Sequence, residues 1–244
     1  MKVYENIIIG NFLYALGVSI GKATADITQF SSINLLQQTP DDPLLGDLLV
    51  EYPGVVKLIE FKNKKSKKTK EKDRIRHLKI ALNDDREMLE ISKAVHWYIE
   101  TDPLEKICFN RIVPYLNAFE SPGTHTLESF LQFVTEEVVS HGEKDSKERI
   151  KAYLQIVAGC QGTQDRNGGD SGEIETSSGG LLLCANKTGL AFVQYTSPLQ
   201  LQLHQSEFIK CLSQEMESIM RPDIEKVKSK KLSQSLDHNG GYSL

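Results

Sequence analysis

The stretch Gly46–Lys62, GDLLVEYPGVVKLIEFK, has the pattern of two short apolar strands joined by a Pro-Gly turn. Asp47 stands near its start, and Glu60 and Lys62 stand near its end. Side chains alternate between the two faces of a strand, so Glu60 and Lys62 are expected to share one face. The stretch therefore predicts a β-hairpin that carries acidic and basic side chains at its open end.

The length of the turn decides whether Asp47 lies on the same face as Glu60. A two-residue turn at Pro53-Gly54 places Asp47 directly opposite Glu60. A four-residue loop over 51–54 places Asp47 opposite Leu58, which is still on that face. A three-residue loop would place it on the other face. Two of the three simple registers therefore bring the two carboxylates together.

Two neighbouring carboxylates repel each other, and one pKa rises unless a cation lies between them. A hard divalent ion, Mg²⁺ or Mn²⁺, supplies that charge, with oxygen ligands from Asp47 and Glu60 and with the Phe61 carbonyl as a further candidate. Such an ion acidifies a bound water and stabilises charge that develops on a phosphate. Lys62 would orient or activate that water or stabilise the transition state.

A lysine-rich segment, NKKSKKTKEK at residues 63–72, follows the hairpin and is predicted to be a mobile basic loop. The net charge of the chain is −4, so a nucleic-acid surface requires an uneven distribution of charge. Phosphate contacts from this segment would add salt-dependent affinity without base specificity. The candidate nucleic-acid-binding residues are Lys64, Lys65, Lys67, Lys68, Lys70, Arg74 and Arg76.

Hydrophobic periodicity elsewhere in the chain predicts helices and strands around the hairpin. Helical spacing is present over residues 4–22, 73–82, 84–91, 126–139 and 146–157, the fourth of these beginning at a Thr126 cap. Strand patterns occupy 94–99, 107–116, 181–185 and 190–195, and residues 24–43 read as a polar connection with a short strand or turn near 33–37. The expected fold is α/β, with a mixed central sheet flanked by helices and an elaborated α+β C-terminal half.

The composition indicates a soluble protein with a buried core, because 39% of the residues are hydrophobic. The four cysteines form no C-x-x-C pair, which disfavours a zinc ribbon and favours reduced thiols in the cytoplasm. The apolar stretch Ile7–Ile20 has no signal-peptide cleavage pattern and is shorter than a membrane span. We therefore expect a cytoplasmic protein without membrane contact.

The hairpin residues resemble the PD-(D/E)xK nuclease superfamily, which has a restriction-endonuclease-like core. The matching residues are Asp47 and Glu60-Phe61-Lys62, and the resemblance covers residues 4 to 100 in the order helix, hairpin, helix, strand. Gly46 stands where the superfamily often has proline. The resemblance implies a Mg²⁺-dependent nuclease with Asp47, Glu60 and Lys62 as catalytic residues. It further implies that Glu5, the acidic residue of the first helix, completes the metal site.

The following expectations concern the domain organisation and the partners. We expect a nuclease-like core over 1–120, a C-terminal helical and hairpin portion that packs on it over 121–226, and a flexible tail over 227–244. Nucleic acid is the expected partner, DNA more than RNA, in a defence or repair role. The C-terminal half offers a surface for a protein partner, and homo-oligomerisation is left open.

Two other functions compete with the nuclease hypothesis. A non-catalytic module could keep a nuclease-like fold and bind nucleic acid or protein. The G-x-S-x-G match at Gly17–Gly21 is the pattern of a hydrolase nucleophile elbow around Ser19. That elbow should follow a strand, whereas these residues continue a helical pattern, so a serine hydrolase is the least favoured alternative.

Overall fold

The computed structural model describes residues 3–24, 29–36, 45–102, 108–120, 122–140, 147–162, 180–186 and 189–195. The described strands are β1 (Gln29–Leu35), β2 (Leu48–Tyr52), β3 (Val55–Asn63), β4 (His96–Thr101), β5 (Phe109–Pro114), β6 (Gly180–Asn186) and β7 (Gly189–Tyr195). The described helices are α1 (Glu5–Ala23), α2 (Thr69–Leu82), α3 (Arg86–Val95), α4 (Leu127–Val139) and α5 (Lys147–Gly162), with a 3₁₀ turn at Tyr115–Asn117.

These strands form one mixed sheet in the order β5-β4-β3-β2-β1-β6-β7. Strands β3 and β4 are parallel, and the other neighbouring pairs are antiparallel. A parallel pair needs a crossover connection, which α2 and α3 supply. The α/β class and the mixed sheet flanked by helices are therefore confirmed.

The predicted hairpin is β2–β3, and its turn is the two-residue Pro53-Gly54. Gly54 has a φ of 79°, a left-handed conformation that glycine adopts without strain. The second predicted hairpin is β6–β7, and β6 joins the sheet by pairing with β1. Residues 196–244, which include the predicted tail, lie outside the described residues.

Two apolar cores lie on opposite faces of the sheet. Helices α1 and α4 cover one face, where Phe12, Ile59 and Phe61 are buried. Helices α2, α3 and α5 cover the other face, where Leu58 and Tyr98 are buried. Because side chains alternate along β3, its even-numbered residues face α2 and its odd-numbered residues face α1. Glu60 and Lys62 consequently lie on the α2 side of the sheet.

Helix α1 combines a buried stripe with an open apolar side. Ile9, Phe12 and Leu16 pack into the core, whereas Tyr14 on the other side is 76% exposed. Among the described residues, α1 is the one helix whose length and apolar composition would allow a membrane span. In this structure the buried stripe of α1 packs against the sheet, as in an amphipathic helix of a globular protein. The cytoplasmic location stays a prediction.

The predicted basic loop at residues 63–72 is wrong in its second half, because β3 extends to Asn63 and α2 begins at Thr69. A short lysine-rich turn is what remains between the two elements. Burial of Glu71, Ile75 and Leu78 anchors the first turns of α2 against the sheet. This tertiary packing outweighs the repulsion between neighbouring lysines, which alone would disfavour a helix.

The connection predicted over residues 24–43 contains a full strand, β1, rather than a short element near 33–37. Strand β1 pairs with β2 on one side and with β6 on the other. Strand β6 is far from β1 along the chain, so local periodicity does not reveal this pairing. The strand is therefore stabilised by long-range pairing more than by its own sequence pattern.

Candidate functional site

Asp47 and Glu60 meet at the open end of the β2–β3 hairpin. Leu48 pairs with Ile59, so Asp47, one residue earlier, lies opposite Glu60 across the two strands. The two-residue turn produces this register, as the sequence predicted for that turn length. Asp47 is 6% exposed and Glu60 is 3% exposed. Two carboxylates are thus buried side by side on one face of the sheet.

The backbone of Phe61 fixes the Asp47 carboxylate. Asp47 Oδ2 accepts a hydrogen bond from the Phe61 N–H at 2.7 Å. A charge-assisted bond of this kind holds the carboxylate against β3 in a defined orientation. The Phe61 side chain lies in the core on the α1 side, so this residue contributes to the site through its main chain. Its carbonyl stays a candidate metal ligand.

Gly46 lets the hairpin end pack tightly around Glu60. Its φ is +122°, and a Cβ built on Gly46 would lie 2.8 Å from Glu60 Oε2. Real Cβ atoms do not approach so closely, and residues with a side chain rarely adopt this φ. Local sterics therefore explain why glycine occupies position 46.

Lys62 and α2 complete the cluster around Glu60. Lys62 Nζ forms an ion pair with Glu60 Oε1 and lies 3.7 Å from Glu71 Oε2. Arg74 Nη1 lies 3.8 Å from Glu60 Oε1 and 3.8 Å from Glu71 Oε2. The Tyr115 hydroxyl donates a hydrogen bond to Glu71 Oε1. Glu71 and Arg74 stand three residues apart on α2 and therefore face the sheet together.

Glu71 is the site residue that the sequence prediction missed. It is 2% exposed and lies at the start of the buried stripe of α2, four residues before Ile75 and seven before Leu78. That spacing was visible in the sequence, but the surrounding lysines made the segment look like a loop. An acidic residue in phase with an apolar helical stripe was the signal.

Burial and neighbouring charges shift the titration of the cluster. Burial, followed by repulsion from Asp47 and Glu71, raises the pKa of Glu60 well above its ordinary value, although Lys62 opposes this. Burial acts to lower the pKa of Lys62, but attraction from Glu60, Asp47 and Glu71 outweighs it and raises that pKa. Lys62 accordingly keeps its proton at neutral pH and acts as a cation rather than as a base.

The cluster contains carboxylate oxygens that could hold a divalent cation. Three buried carboxylates, Asp47, Glu60 and Glu71, face two cations, Lys62 and Arg74. Within the part of the chain that the structure describes, no three His, Cys, Asp or Glu side chains are arranged to hold a metal by themselves. Mg²⁺ usually takes one or two carboxylates and completes its shell with water and phosphate. The Asp47–Glu60 pair fits that requirement.

Glu5 belongs to a different element from the carboxylate pair. It begins α1, the helix on the opposite face from Glu60, and lines a cavity of about 400 Å³ together with Asn63, Lys65 and Thr101. It is not among the charges that shift the pKa of Glu60. Its assignment as an accessory metal ligand therefore rests on the resemblance alone.

The predicted nucleic-acid-binding cations fall into two groups. Lys68 pairs with Glu100, Arg74 belongs to the carboxylate cluster, and Arg76 lies 3.3 Å from Asp73. The remaining ones are exposed on the turn after β3 and the first turn of α2. They are Lys64, Lys65, Lys67 and Lys70.

A buried polar network extends from the cluster to α5. The His96 ring stacks on the Tyr115 ring with centroids 3.9 Å apart. The Tyr153 hydroxyl lies 2.9 Å from His96 Nδ1 and 2.9 Å from Ser92 Oγ. Burial lowers the pKa of His96 to about 3, so its ring is neutral at physiological pH. The network ties α3 and α5 to the residue that holds Glu71.

Ser19 is positioned by helix packing. It lies inside α1, and its Oγ is 2.8 Å from Thr135 Oγ1 on α4. A nucleophile elbow requires a sharp turn between a strand and a helix, which this position does not have. Ser19 is thus a contact between two helices.

No protein-family model matches this chain, and neither a curated protein nor a solved structure does.

Proposed function

We propose that this protein is a Mg²⁺- or Mn²⁺-dependent nuclease that hydrolyses phosphodiester bonds of DNA. The observation that carries the proposal is the buried Asp47–Glu60 pair with Lys62 bound to Glu60. The order of elements adds support, because helix α1, the β2–β3 hairpin, helix α2 and strand β4 occur in the order helix, hairpin, helix, strand on which the resemblance rests. A surface that only needed stability would gain little from three buried carboxylates.

The residues of the cluster divide the chemical work. Asp47 and Glu60, with the Phe61 carbonyl, would hold the ion, which supplies an acidified water and charge stabilisation at phosphorus. Lys62 keeps its proton and would donate a hydrogen bond to the attacking water or to a phosphate oxygen. Glu71 and Arg74 hold Lys62 and Glu60 in place, and Tyr115 holds Glu71.

A cleavage assay tests the proposal directly. The substrates are plasmid, linear duplex, single-stranded DNA and RNA, each with Mg²⁺, Mn²⁺ or EDTA. Wild-type protein should cleave DNA only with metal, and Glu60→Gln should not cleave. The matched control is Glu90→Gln on α3, where an exposed glutamate pairs with Lys93 at 2.7 Å. Cleavage by Glu60→Gln at the wild-type rate would refute the assignment.

A second candidate is a non-catalytic binding module. The observation in its favour is that Lys62 and Arg74 already place two cations beside the buried carboxylates. Such a module would bind nucleic acid without cleaving it, and neither Mg²⁺ nor Mn²⁺ would raise its melting temperature. Metal-linked stabilisation together with cleavage would exclude it.

A further inference from the structure

A basic groove runs along α2, beside the buried stripe of this helix that contains Glu71 and Ile75. Its volume is about 370 Å³, which is within the range of ligand sites. We define the α2 groove by the residues that give it its chemistry. They are Lys72, Arg76, Lys79 and Ile80 of α2 and Phe119 from the segment after β5.

The three cations of the groove are spaced to lie on one side of the helix. Positions 72, 76 and 79 are four and three residues apart, the spacing of neighbours on a helix surface. At a rise of 1.5 Å per residue, they span roughly 10 Å along the axis. Glu71 and Arg74 lie on the sheet side of the same helix. One helix thus presents a catalytic face and a basic face.

Apolar surface lies between these cations. Ile80 is 69% exposed, and the Phe119 ring is partly exposed. Lys72 Nζ lies 5.4 Å from the centroid of the Phe119 ring. Cations beside a partly exposed aromatic side chain are a combination by which proteins bind single strands, because phosphates contact the cations and bases stack on the ring.

The ion pairs in the groove are easily replaced. Lys79 pairs with Glu120, and Arg76 with Asp73, and all four side chains are at least 38% exposed. Exposed pairs of this kind contribute little to stability, so a phosphate can displace the carboxylate at little cost. Lys72 lies beside the Phe119 ring, and the groove as a whole carries excess positive charge.

We propose that the α2 groove binds a single strand of nucleic acid, with phosphates on Lys72, Arg76 and Lys79 and a base against Phe119. This inference rests on the proposed nuclease function. It identifies where the substrate strand would lie beyond the cluster around Glu60. Regularly spaced cations match the repeating phosphates of a strand. An acidic peptide would use the cations but has no flat base to stack on Phe119.

The charge part of the proposal is tested by anisotropy of labelled single-stranded and duplex DNA in EDTA, where no cleavage occurs. The groove variant is Lys72→Gln/Arg76→Gln/Lys79→Gln. The control, Lys22→Gln/Lys93→Gln/Lys151→Gln, removes the same charge elsewhere on the surface. We expect the groove variant to reduce the slope of log K against log salt by about 2 for single strands, at about 0.7 per phosphate contact. The control should keep the wild-type slope.

The aromatic part is tested with Phe119→Leu, and thermal unfolding verifies that the variant is folded. Binding of single-stranded DNA should weaken by at least about fivefold, because stacking on an aromatic ring is lost. Duplex binding should be unchanged, since its bases are already stacked.

The inference would be overturned if the groove variant bound single strands with the wild-type salt slope. It would also be overturned if a labelled polyglutamate peptide bound the groove more tightly than DNA does. Wild-type cleavage combined with normal binding by the groove variant would overturn this inference and leave the nuclease proposal standing. If binding depends on the groove but no metal-dependent cleavage occurs, the nuclease proposal is refuted and the groove inference stands.

Discussion

Gly46 lies against the carboxylate of Glu60, so closely that a Cβ at position 46 would be 2.8 Å from Glu60 Oε2. A side chain at this position would therefore clash with the Glu60 carboxylate, which lies opposite Asp47 at the open end of the hairpin. Because the positive φ of Gly46 also disfavours residues with a side chain, both the space and the backbone conformation favour glycine here.

Gly46→Ala should therefore destabilise the protein by about 1–3 kcal/mol, the usual cost of a strained backbone residue. Gly17→Ala is the control, because Gly17 lies in α1 with nothing within 4 Å of a built Cβ. That substitution should stabilise by up to about 1 kcal/mol through helix propensity. Urea unfolding measures both. A wild-type midpoint for Gly46→Ala would show that the contact imposes no constraint.

Lys62→Ala should lower kcat by about 10²- to 10³-fold, the range for removal of one hydrogen-bond donor that stabilises charge in the transition state. Lys65→Ala, three residues on in the exposed turn, is the control and should change KM more than kcat. Steady-state cleavage of a short duplex separates the two parameters. An unchanged kcat for Lys62→Ala would remove this residue from the mechanism.

Tyr115→Phe should destabilise the protein by about 1.5–3 kcal/mol, because it deletes a hydrogen bond to the buried Glu71 carboxylate. Tyr153→Phe is a matched control that deletes bonds to the neutral groups of Ser92 and His96. At about 0.5–1.5 kcal/mol for each of these two neutral bonds, it should cost about 1–3 kcal/mol. A wild-type free energy of unfolding for Tyr115→Phe would show that the Tyr115 hydroxyl does not stabilise the buried Glu71.

The hairpin followed from local rules, but the sequence left three turn lengths open and therefore did not decide its register. The two-residue Pro53-Gly54 turn of the structure places Asp47 opposite Glu60. Glu71 did not follow, because its lysine neighbours masked the helical stripe that buries it. Strand β1 was underestimated because its partners, β2 and β6, are brought to it by the tertiary fold. Local sequence patterns thus predicted the hairpin. The burial of Glu71 and the pairing of β1 depend on contacts between distant parts of the chain.

His96 should make stability depend on pH. Burial lowers its folded-state pKa from 6.5 to about 3. Between these two pH values the His96 ring is protonated in the unfolded chain and neutral in the folded chain. The contribution is complete above pH 6.5 and is lost as pH falls towards 3, with a slope approaching 1.4 kcal/mol per pH unit. Urea unfolding at several pH values should show this slope in wild type and in the control His77→Gln. In His96→Gln the slope should decrease, and an unchanged slope would contradict the assignment.

The central claim is that Asp47 and Glu60 together hold a divalent cation. Titration calorimetry of Mn²⁺ without nucleic acid, with melting temperatures on the same samples, measures this directly. Wild-type protein should bind Mn²⁺ and gain about 2.7 kcal/mol of stability at a free concentration of one hundred times Kd. Asp47→Asn and Glu60→Gln should each lose the binding heat and the thermal shift. Wild-type protein without Mn²⁺ binding, or variants that bind as wild type does, would contradict the claim.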